Sequence, residues 1–269
     1  SSNTLALVKK QVTGTIGPNP LGNYRSATLI SGYLDYGSSS DRQVTICCWY
    51  KHSNDNNGYT IRLSPNSDGS SYVFGTFRTF SDGTDRLRGW VYSPSAGSQY
   101  TYWESLPSGF DETKWNFYIF TYEGNGNNHS MYLPEFDYHD NGSNTIGASW
   151  RYVFFDMPTN DNSITDFSVY EGNKATTESW RTTLYNNGQI GGAANETTDR
   201  LHYLRFHKDT IGDDIGSKNT DISSGSITPS ESLPGGITAP PSLTFDGYNK
   251  LTLENFDSVR QWPPTDGTR

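Results

Sequence analysis

The stretch 164–188, ITDFSVYEGNKATTESWRTTLYNNG, carries strand, turn and helix signals in unbroken succession. Phe167 and Val169 stand two apart while Asp166 and Ser168 take the alternate positions, the pattern of a strand covered on one face, so Asp166 is expected to point outward. Glu171, Gly172 and Asn173 break the strand. Beyond them Thr176 is placed to cap a helix, Glu178 lies near its positive end, Trp180 and Leu184 fall four apart on one face, and Gly188 suits a left-handed residue past its end. A closing strand is therefore predicted, followed by a short helix packed through a Trp and a Leu.

Working outward, the other strongly patterned segments are strands. VTICCWYK at 44–51 and KWNFYIFTYEG at 114–124 are long and apolar, and 59–63, 72–80, 87–92 and 99–103 alternate between turn-rich connections such as NDNNG, NSDG and SPSAG. The chain has 269 residues, room for one large sandwich or two small domains and for a sizeable core. Hydrophobic content is 32% but aromatics reach 14%, which favours many short strands over helical bundles. With 20 Lys and Arg against 29 Asp and Glu, the net charge of -9 argues against nucleic acid or anionic lipid as a partner. No apolar run is long enough to span a membrane, and no basic-then-apolar leader opens the chain, so neither a span nor a retained signal peptide is expected. Cys47 and Cys48, the only cysteines, are adjacent on a predicted strand and should project to opposite faces as free, buried thiols.

Three stretches in order carry a resemblance. Residues 164–170 with Leu184-Tyr185-Asn186 resemble the closing strand and short helix of laminin G-like modules, VTICCWYK resembles an early strand of those modules, and KWNFYIFTYEG resembles their W-H-H-V-A-V-T-Y-D-G strand and turn. The resemblance implies an all-β fold, a two-sheet jelly-roll sandwich of the concanavalin A-like lectin and glucanase superfamily. It spans 26–191, after an N-terminal arm at 1–25 and before a linker and C-terminal β extension at 192–269. Residues 243–256, LTFDGYNKLTLENF, look like a second module opening that the remaining 13 residues cannot complete, so this segment is expected to dock as a strand on a sheet edge, its own or a neighbouring copy's. Text of the kind L-Y-N-N-G, then a strand, then G-S-K-N-T-D resembles structural proteins of marine bacteriophages.

The fold hosts lectins, adhesins, hydrolases and structural domains, so function must be read from sites. Glu135, Asp137 and Asp140 resemble the E-x-D-x-x-E strand of retaining β-glucanases, whose two catalytic carboxylates sit about 5 Å apart. Against this, Asp140 stands three on in place of Glu, and Pro134 suits an edge better than the floor of a cleft. A polar hairpin is the preferred reading, and no catalytic residue is assigned. The five histidines are scattered without metal-ligand spacing. Calcium is the one cofactor the resemblance suggests, near Asp166. Trp90, Tyr102, Trp103 and Trp150 are not needed by the predicted core and are the candidates for a carbohydrate-stacking surface, because sugar rings pack on aromatic faces. The sequence thus points to a non-enzymatic extracellular or virion-surface structural module, glycan-binding or adhesive, whose partners are further copies of itself, other structural proteins or surface glycans. A glycoside hydrolase or lyase is the alternative.

Overall fold

The structure is a computed structural model that describes residues 26–40, 42–52, 61–70, 73–76, 88–92, 99–103, 107–111, 113–124, 129–142, 149–157, 162–206, 223–230, 233–234, 244–246 and 250–252. Its strands are β1 Ser26–Ser40, β2 Val44–Lys51, β3 Ile61–Ser64, β4 Phe74–Thr76, β5 Arg88–Tyr92, β6 Gln99–Trp103, β7 Asn116–Tyr122, β8 His129–Leu133, β9 Tyr138–Gly142, β10 Trp150–Met157, β11 Ser163–Glu171, β12 Arg200–Leu204, β13 Ser223–Ser230, β14 Thr244–Asp246 and β15 Lys250–Thr252. Two helices, α1 Glu178–Tyr185 and α2 Gly192–Asn195, lie between β11 and β12.

All pairings are antiparallel. One sheet runs β6-β5-β4-β3-β10-β1, with β13 on the free side of β1; the other runs β12-β11-β2-β7-β8-β9, and the pair Ala27 with Ile164 joins them. Between the sheets lies the main core. Leu34, Ile61, Leu63, Val153 and Phe155 of the first sheet meet Val44, Ile46, Cys48, Tyr50, Tyr118, Phe120, Phe167 and Val169 of the second. This is the two-sheet jelly roll that the sequence predicts.

The second sheet is covered again on its outer side. Cys47, Trp49, Phe117, Ile119, Tyr170 and Tyr203 pack there against Leu184 of α1, Ala193 of α2, Ile190 and Leu233. This second layer explains why β2 is buried along seven of its eight residues and β7 along all of its length, where a strand covered on one side would alternate. It also separates the two thiols as expected: Cys48 faces the sandwich core, Cys47 the helical layer, and both are free and buried. The closing strand differs from expectation for the same reason. It is buried from Ser163 to Tyr170, because the helices that follow it fold back over its second face.

Two details of that layer depart from the sequence reading. Thr177, not Thr176, precedes the first turn of α1, and its side chain makes no capping bond. The left-handed exit begins at Asn186 (φ 49°), two residues before Gly188, at a residue type whose short polar side chain tolerates that conformation. Beyond 191 the chain returns to the sandwich: β12 pairs with β11, and β13 pairs with β1 from Ser26–Ser230 to Tyr33–Ser223. The sheets therefore draw on residues well past Gly191. Strands β14 and β15 pair with each other as a separate ribbon, Thr244 opposite Thr252, rather than extending a sandwich sheet as a single strand.

Candidate ligand-binding surface

Asp166 is a buried anchor. A register shift lets β11 carry one extra residue against β2 between Thr165 and Ser168, and Asp166 takes the left-handed conformation (φ 50°) that such a bulge needs. Its carboxylate turns under the helical layer, where Oδ2 accepts 2.8 Å from the Gly191 N–H and Oδ1 accepts 2.8 Å from the Tyr203 hydroxyl. Only 1% of the residue is exposed. Burial raises its pKa from 3.8 to about 6, against the pull of the two hydrogen bonds and of Arg200. The outward ligand expected at this position is not there. Nor do the surroundings suit calcium, since protein donors occupy both carboxylate oxygens and the described residues hold no group of three or more His, Cys, Asp or Glu able to share a metal.

Trp150 is also inside. Its ring is fully buried, edge-on to Tyr36 at 5.0 Å, and its Nε1–H donates to the Arg42 carbonyl at 3.1 Å. It offers no open ring to a ligand. Trp90 lies on β5 opposite Gly75 and Thr101, while Tyr102 and Trp103 lie on β6 opposite Gly89 and Arg88. The backbone therefore brings these three together on the outermost strands of the first sheet; their side chains lie outside the described residues.

That first sheet is where the structure assembles a surface. Alternation along β1, β3 and β10 sends Leu34, Leu63, Val153 and Phe155 into the core and leaves Tyr33, Asp35, Arg62, Tyr152 and Phe154 on the outer side. Tyr152 and Phe154 form a nearly covered floor, and the part-exposed Tyr33 ring rests on both, 5.0 Å from Tyr152 edge-to-face and 5.1 Å from Phe154. Arg62 sits 5.8 Å above the Phe154 ring and Arg151 4.8 Å above that of Tyr152. Asp35 clamps Arg151 with two bonds of 2.6 Å, an interaction that pulls the Asp35 pKa below its ordinary value. Sequence reasoning missed this group. The available signal was Tyr33 and Asp35 alternating with Leu34 and Tyr36 in β1.

The proposed glucanase row is split. Glu135 lies exposed in a 3-10 turn, Pro134–Phe136, Asp137 follows in the left-handed conformation (φ 48°), and Asp140 stands on β9 opposite Met131. A polar hairpin, the preferred reading from sequence, is what these residues make.

A sandwich of two antiparallel sheets with this strand order has the concanavalin A-like jelly-roll fold. The chain is similar to a Bacteroides ovatus protein provisionally described as carbohydrate-binding (TM-score 0.51, 11% identity, 79% of this chain and 61% of that one). It is also similar to a heptameric SAP-like pentraxin from Limulus polyphemus (TM-score 0.43, 15% identity, 61% and 82%). A third likeness is to the enzymatically active domain of tailspike protein 2 of bacteriophage CBA120 (TM-score 0.39, 10% identity, 58% and 26%). No protein-family profile matches the sequence, and no curated protein does.

Proposed function

We propose that this chain is a non-enzymatic glycan-binding module whose ligand lies across the outer face of the first sheet. The observation that carries the reading is the cluster of Tyr33, Arg62 and the Asp35–Arg151 clamp over an aromatic floor, on the sheet that also holds the Trp90, Tyr102 and Trp103 strands. Aromatic rings supply surface for the apolar face of a pyranose, and guanidinium and carboxylate groups supply hydrogen bonds to its hydroxyls. The second sheet's outer face has no comparable role in this reading, since the helical layer covers it. A place outside the cell or on a virion surface, beside other copies or other structural proteins, belongs to the same reading and is supported by the likeness of the 184–188 and 216–221 text to bacteriophage structural modules. The test is a glycan array probed with the full chain, then with Tyr33→Ala and Arg62→Ala. Each substitution should weaken the strongest signal about tenfold, the size of one lost stacking or charged contact. An array without signal, or one indifferent to both substitutions, rejects the proposal.

A further inference from the structure

On the far side of the sandwich, a shallow cleft of about 330 Å³ opens where the first turn of α1 meets the chain leaving β11. That is the small end of the roughly 300–1,000 Å³ spanned by small-ligand pockets, room for one sugar residue rather than a chain. Trp180, Asn173, Lys174, Thr177 and Glu196 line it. Trp180 is only partly covered, and Tyr170 fixes its ring edge-to-face at 5.1 Å and 85°. The Tyr170 hydroxyl in turn donates 3.1 Å to the Glu196 carbonyl, tying the two walls of the cleft together.

The hydrogen bonds already made decide what the cleft can hold. Several of its polar groups are engaged: Lys174 pairs with Asp199, one Glu196 carboxylate oxygen accepts from the Thr198 N–H at 2.9 Å, and the Asn173 amide donates to Glu123. The Glu196 carboxylate keeps its negative charge, which disfavours an anionic ligand, and the other capacity left over is neutral. Asn173 Oδ1 is buried and accepts nothing from the protein, the Thr177 hydroxyl caps no helix N–H, and among the described residues no acceptor takes the Trp180 Nε1–H. One hydroxyl and one N–H donor beside a fixed indole suit a hydroxyl of a sugar ring stacked there, Asn173 Oδ1 lies too deep for direct contact, and nothing there compensates an anion's charge.

We infer that this cleft is a second binding site, for a single neutral hexopyranoside. It is independent of the Tyr33 face, so one chain could hold two glycans on opposite sides.

The experiment is a titration of the ¹⁵N-labelled full chain with methyl hexopyranosides (gluco, galacto and manno) and with glucuronate, following the tryptophan indole N–H resonances assigned through Trp180→Phe. At least one neutral hexoside is expected to move the Trp180 resonance saturably, with a dissociation constant of about 1–10 mM, and glucuronate to bind at least tenfold more weakly. Thr177→Arg, an exposed change that fills the cleft without touching its floor, should weaken that binding at least tenfold while Tyr33→Ala leaves it intact. Stronger binding of glucuronate, saturation by hexosides without a Trp180 shift, or indifference to Thr177→Arg overturns the inference. A Trp180 response that persists when the array signal is absent would reject the first-sheet reading and leave this one standing.

Discussion

Asp166→Asn isolates the cost of ionising one carboxyl inside the protein. In the folded chain its pKa is raised from 3.8 to about 6, so the fold binds the proton more tightly than the unfolded chain does. The stability this contributes is fully present below pH 3.8 and is lost as pH rises through about 6. A shift of about 2 units at 1.36 kcal/mol each amounts to about 3 kcal/mol between pH 4 and pH 7. Asparagine keeps the left-handed preference required at φ 50°, its oxygen can accept from the Gly191 N–H, and its amide can donate to the Tyr203 hydroxyl, much as the protonated carboxyl does. At pH 4 the wild-type carboxyl is protonated and carries a donor of its own, so the variant should start close to the wild type there. It should then gain about 3 kcal/mol relative to the wild type by pH 7. Urea unfolding of both proteins at pH 4, 5, 6 and 7 measures this directly, since every other titrating group cancels in the difference. A difference that stays flat across the series, or moves in the wild type's favour, refutes the reasoning.

Gly192→Ala should destabilise the fold by about 1–3 kcal/mol in thermal or urea unfolding, because the added methyl would stand 2.0 Å from the Leu184 carbonyl oxygen, where only backbone could yield. Arg151→Ala should lower stability only slightly at pH 7, because both partners remain open to solvent that screens the pair. The loss should vanish in acid, since Asp35's lowered pKa makes its contribution present above pH 3.8 and absent once pH falls through the folded value. Cys47 and Cys48 should resist a thiol reagent such as DTNB in the native state and react fully in urea, as burial raises both thiols well above their ordinary pKa. Rapid native-state labelling of either would show that the helical layer does not seal the second sheet.

The strands were legible because alternation and apolar runs are local properties of the chain. VTICCWYK, NFYIFTY and ITDFSVY became β2, β7 and the body of β11, and the helix ran where Trp180 and Leu184 repeat. What covers each face is not local. Asp166 and Ser168 look solvent-facing in their own strand, and only the return of α1 and α2 over the sheet buries them. A hint was present, since β2 hardly alternates and an uninterrupted apolar run marks a strand buried on both sides. Trp150 was misjudged for a similar reason: its partners, Tyr36 and the Arg42 carbonyl, come from more than a hundred residues away. Strand β13 was hidden by composition, because SSGSITPS is too polar to announce a strand and pairs through its backbone with a β1 already held by β10.

The Ser26–Ser230 pairing fixes a timetable for synthesis. Strand β1 is among the first described segments to leave the ribosome, and the partner for its second edge lies 204 residues later, the difference between positions 230 and 26. At roughly 5–20 residues per second, that edge waits about 10–40 s before its backbone groups can be satisfied within the chain. During that interval the nascent protein presents an open strand that could recruit the wrong partner, including the same strand of a neighbouring nascent chain. Closing the sheet with β13 postpones completion of the fold until the sandwich and its helical layer have been synthesised.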